Sequence, residues 1–105
     1  MFLADVVGTV VTPVQHPQLD GRTQLLVRPV SPTGEPTAKT RVALDHVGAG
    51  VGDRVLVIDE GNSGRQLIGV ADAPIKTLVV AIVDRVEHLG TETYDHRERP
   101  PLAPR

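Results

Sequence analysis

Seventeen of the 42 hydrophobic residues in this chain are valine, and they stand in short runs broken by ten glycines and nine prolines. A β-branched side chain suits the pleated surface of a sheet, and Gly and Pro supply the turns between strands. A helical bundle would draw on Leu, Ala, Glu and Lys instead. The chain therefore reads as all-β. At 105 residues it is one domain. Phe2 and Tyr94 are the only aromatics, so the core is small and aliphatic, and subunit contacts are expected to supply part of the stability.

Residues 2–11 alternate in a way that predicts a strand with one buried and one half-buried face. Phe2, Ala4, Val6 and Val10 are apolar, and Gly8 among them marks a bend or a close backbone approach. Pro13 and Pro17 bracket a loop that runs to Gly21. Residues 24–30 form a second strand, in which Pro29 implies an edge or a bulge. Further strands are predicted over 40–45, 53–59 and 66–71, and the most apolar one over 78–87. Pro74 and Ile75 lie in a stretch, 73–77, that fits one helical turn. From Gly90 the chain becomes charged and Pro-rich. Residues 90–105 are expected to form an extended tail, flexible or docked on a partner, after a single barrel domain over 1–89. Strands spaced by such turns suggest a small closed barrel or a sandwich.

Composition and spacing exclude much chemistry. There is no cysteine, hence no disulfide, thiolate metal site or cysteine nucleophile. Net charge is −2, so no long-range attraction to nucleic acid or an anionic membrane is expected. A barrel that binds oligonucleotides stacks bases on aromatics in a basic groove, and this chain offers neither. The start carries Asp5 and no basic run, which does not fit a signal peptide. The run 78–83 is too short to cross a bilayer. His16, His46, His88 and His96 have no partners at zinc-ligand spacing, and Asp45 and His46, as strand neighbours, point to opposite faces. Ser63 lacks a nucleophile-elbow pattern. Catalytic, cofactor and metal residues are therefore all expected to be absent. Gly48, Ala49, Gly50, Val51, Gly52 and Asp53 look like a dinucleotide-binding glycine turn, but that function needs a helix to follow, and here a strand follows. Asp84 stands as a charge in an apolar strand, either facing outward or meeting another subunit.

Laid end to end, these motifs resemble the pentameric vertex proteins of bacterial microcompartment shells, of the ethanolamine-utilisation and carboxysome type. The resemblance runs through Val6-Val7-Gly8-Thr9-Val10-Val11, then His16-Pro17, Leu19, Gly21 and Leu25-Leu26-Val27. Its most specific stretch is Asp45 with residues 47–53 and Val55-Leu56-Val57. Gly61, Ser63 and Arg65-Gln66 follow, then Pro74-Ile75 and Ala81-Ile82-Val83-Asp84. Lys76 and Gly64 depart from the pattern, where the family often has an acidic residue and an alanine. The resemblance implies an OB-like closed five-stranded barrel that forms a homopentamer. It also implies a structural, non-enzymatic role in the cytoplasm, capping fivefold vertices beside hexameric and trimeric shell proteins. Gly61, Asn62, Ser63, Gly64 and Arg65 are then expected to edge a pore, and residues 48–53 with Asp84 to form a tile edge or a subunit interface. The stretch 51–57 also resembles a strand of ring-forming co-chaperonins, but there it lies near the N-terminus, before a long mobile loop. A small-ligand or nucleic-acid-binding barrel is the remaining alternative.

Overall fold

The computed structural model describes residues 1–11, 23–59 and 77–98. The strands in them are β1 Phe2–Val10, β2 Gln24–Val30, β3 Arg41–Asp45, β4 Arg54–Ile58, β5 Leu78–Ile82, β6 Arg85–His88 and β7 Thr91–Asp95, and a short 3₁₀ turn, His96–Glu98, follows. The first five close into a barrel in the order β1-β2-β3-β5-β4. Neighbours are antiparallel except β3 and β5, which run parallel through Leu44↔Leu78 and Asp45↔Val79. Closure leaves these strands no free edge to pair with another chain.

Alternation along the strands decides what fills the barrel. Ala4 and Val6 of β1, Leu25 and Val27 of β2, Ala43 of β3, Val55 and Val57 of β4 and Val79 of β5 form one buried cluster. Five strands enclose little space, and short β-branched side chains fill it. The two special strand residues behave as their chemistry predicts. The β1–β2 register slips between Val6 and Gly8, and a Cβ on Gly8 would stand 3.2 Å from Leu26 Cδ1. Pro29 pairs with Ala4 on one side, beyond the last β2–β3 pair, Val27↔Arg41.

The structure corrects the sequence reading at the C-terminal end. The strand predicted over 78–87 breaks after Ile82, and Asp84 lies in a bend rather than in a strand. Ile82 pairs with Val55, next to the first residue of β4, and Val83 N–H donates to Arg54 C=O at 2.8 Å. Beyond that point the described residues of the barrel offer no further backbone partner. The chain therefore leaves it and pairs with itself as the hairpin β6–β7. Residues 91–98, expected in a tail, are this hairpin's second strand and the 3₁₀ turn. Residues 99–105 fall outside the described residues, as do the strand expected over 66–71 and all but Thr77 of the helical turn expected over 73–77.

Candidate assembly surfaces

The outer wall of the barrel carries a buried charged row. Alternation turns Asp5 outward from β1, where its register partners are Arg28 on β2 and Arg54 on β4. All three side chains are nonetheless buried. Arg54 grips Asp5 with both arms of its fork, Nε to Oδ1 at 2.8 Å and Nη2 to Oδ2 at 3.2 Å. The hairpin supplies the cover. The Tyr94 ring lies against the Arg54 guanidinium, 4.4 Å from its centroid, and the Tyr94 hydroxyl accepts the Arg54 backbone N–H at 3.3 Å. Thr93 Oγ1 donates to Pro32 C=O at 2.6 Å, and His96 N–H to Asp84 C=O at 2.8 Å. Gly34, at φ +92°, completes the lid, since a Cβ there would stand 3.2 Å from Arg54 Nη2.

The glycine segment 48–53 joins β3 to β4. Asp45 organises its start: one carboxylate oxygen accepts the N–H groups of Val47, Gly48 and Ala49 at 3.1 to 3.2 Å. Its far end is bonded to β1, with Gly52 N–H donating to Val6 C=O and Val6 N–H to Asp53 C=O, both at 2.9 Å. The glycines are not equivalent. Gly48 and Gly52 sit at φ +81° and +95°, where an L side chain is strained. Gly50 has no such φ, and a Cβ on it would meet only Asp53 Oδ2, at 3.9 Å. Among the described residues nothing demands a glycine there. Val51 beside it is 53% exposed.

The Asp53 carboxylate takes the Gly50 N–H at 2.8 Å and lies 3.9 Å from His96 Nδ1. Asp84 is exposed, and with Arg85, Asp95, His96 and Arg97 it lines a polar cleft where the chain leaves the barrel. Hydrogen bonds from Arg97 hold the Asp95 carboxyl below the usual carboxylate range. His96 thus brings Asp84 and the end of the glycine segment to one side of the molecule. The expected pore loop, Gly61, Asn62, Ser63, Gly64 and Arg65, lies outside the described residues. His46 is exposed, so Asp45 works as a turn cap and not with its neighbour. The sequence reading passed over Asp5, Arg54 and Tyr94 as a set. Its trace was two opposite charges at outward positions of Val-rich strands.

The family model described as ethanolamine utilisation protein EutN/carboxysome matches residues 1–84. The chain belongs to that family. The carboxysome shell vertex protein CcmL of Synechocystis sp. is 39% identical over 98 residues, covering 93% of this chain and 97% of that one. The bacterial microcompartment shell vertex protein PduN of Salmonella typhimurium is 46% identical over 88 residues, covering 80% and 96%. The solved structure of the GrpN pentameric microcompartment shell protein from Rhodospirillum rubrum matches with a TM-score of 0.75 at 38% identity, over 85% of this chain and 100% of that one. The resemblance drawn from the ordered motifs is therefore correct, and the co-chaperonin reading of 51–57 falls.

Proposed function

We infer that this chain is a structural shell protein whose homopentamer closes the fivefold vertices of a bacterial microcompartment in the cytoplasm. The observation that carries this reading is the match of the chain, barrel included, to shell vertex proteins and to a pentameric shell structure. A vertex plug needs a rigid body that meets its neighbours through repeated edges, and a closed barrel suits that task. Hexameric and trimeric shell proteins are the neighbours such a plug meets.

Gly48, Ala49, Gly50, Val51, Gly52 and Asp53 form the tile edge in this reading, with Asp84 near it. The support is Gly50: among the described residues nothing requires its bare Cα, and it lets a facing backbone approach. Asp53 shapes this edge from within. Residues 61–65 are assigned to the rim of the central opening on the family resemblance alone.

Gly50→Leu separates an edge from an internal turn. The edge reading expects an intact pentamer with a nearly unchanged melting temperature, while co-expressed shells lack their vertices in electron micrographs. Normally closed shells around an intact variant pentamer would refute it.

A further inference from the structure

The β6–β7 hairpin ends on a turn that its own chain does not explain. His88 pairs with Thr91, so Leu89 and Gly90 alone make the reversal. Their φ angles, +52° and +81°, put both central residues in the left-handed region, as a type I′ turn requires. Asn, Asp or Gly normally fill the first of these positions, because a bulky side chain there is strained. This chain places a leucine there and leaves it 92% exposed. The turn gains nothing from the side chain, and solvent exposure penalises it. Nor is the tip loosely held, for Tyr94 and Thr93 fasten the hairpin to the barrel.

We propose that Leu89 is an apolar knob that seats on the outer face of β1, β2 and β3 of the adjacent copy in the ring. Among the described residues that face carries part of the exposed apolar surface. Val42 is 46% exposed and pairs in register with Leu26, which pairs with Gly8, and Val7 and Val10 beside them are half-buried. The hairpin covers the row of Asp5 and Arg54, three residues from Gly8 along β1, and so leaves this strip uncovered among the described residues. A ring closes by repeating one heterologous contact, so every copy must carry both a projecting part and its receiver on different faces. Charge agrees with the pairing. Exposed Glu87 and Glu92 stand directly opposite each other on the hairpin, a like-charged pair that Arg85, with Nη2 3.7 Å from Glu87 Oε1, only partly neutralises. Exposed Lys39 and Arg41 precede Val42 in the chain, Arg41 also pairing with Asp59 at 2.8 Å. The inference rests on the pentameric reading and names the surface that builds it.

Two variants test the contact. Leu89→Asn puts a residue suited to left-handed geometry in the turn, so an isolated hairpin keeps or gains order. Losing a buried leucine at each interface should raise the concentration at which the ring dissociates by about tenfold or more. The wild-type chain has no cysteine. A Leu89→Cys/Val42→Cys double variant should therefore give, on mild oxidation, a denaturing-gel ladder up to five linked chains. Unchanged dissociation of Leu89→Asn, absence of the ladder, or a disulfide confined to single chains would each overturn the assignment. The native mass of the wild type, read first, tells this failure apart from failure of the pentamer itself.

Discussion

The barrel and the C-terminal hairpin are held by different forces. The barrel interior is a continuous aliphatic cluster from five strands, in which no single residue dominates. The hairpin places one fully committed residue, Tyr94, against the barrel, and specific polar contacts do the rest. Apolar burial is distributed and non-directional, so a barrel built on it tolerates modest change at any one site. A clip made of one ring, one guanidinium and a few hydrogen bonds fails as soon as one part is removed. Arg54 belongs to both regions, since it is a β4 residue whose fork holds Asp5 and whose face seats Tyr94.

Arg54→Ala is accordingly expected to have the largest effect. It strands a buried carboxylate and should cost about 3–5 kcal/mol by chemical denaturation. Restoring apolar packing with Asp5→Leu/Arg54→Met should recover most of that loss, and a double variant as weak as Arg54→Ala would contradict the ion-pair account. Leu25→Ala, within the barrel, should cost about 2–5 kcal/mol. Its effect should spread evenly, lowering amide-exchange protection of all five barrel strands together. Tyr94→Phe comes next. It removes only the hydroxyl that accepts from Arg54 and should cost about 1 kcal/mol. Its loss of protection should concentrate in residues 85–95, and a uniform loss would mean that hairpin and barrel open as one unit.

The hydrophobic period made most of the barrel legible. In β1, β2, β3 and β4 the residues of the barrel cluster alternate with outward ones, and the predicted bounds differ from the observed ones by at most one residue at either end. The end of β5 was not legible, because the apolar run 78–83 and then Val86 continue past Ile82, the point where β4 runs out of backbone partners. Topology, and not side-chain preference, stops that strand. The hairpin was hidden for the opposite reason. Glu92, Thr93 and Asp95 give a polar composition, while the pairing depends on Tyr94 meeting Arg54, forty residues away in sequence. Polar composition alone cannot distinguish a solvated tail from a solvent-facing hairpin with one buried anchor. The glycine segment was half legible. Its glycines were found, but only backbone angles separate Gly48 and Gly52, which the turn requires, from Gly50, which it does not.

The smallest expected effect comes from acid. The Thr77 hydroxyl, and Arg41 in addition, bond the Asp59 carboxylate and hold its pKa below the usual range. A folded pKa below the unfolded one favours folding above about pH 4 and loses that contribution as pH falls through the lowered folded value. Thr77→Val removes the larger cause. It should flatten the fall in melting temperature below about pH 4 while changing the neutral value only slightly. An unchanged acid slope would show that Asp59 does not link β3, β4 and β5 energetically.

The central claim is that this barrel is the repeating part of a closed ring of five. Native mass spectrometry of the full-length chain at micromolar concentration tests it most directly. The account predicts one dominant species at five times the 11.2 kDa chain mass. A monodisperse monomer, or a ring of seven, would contradict it.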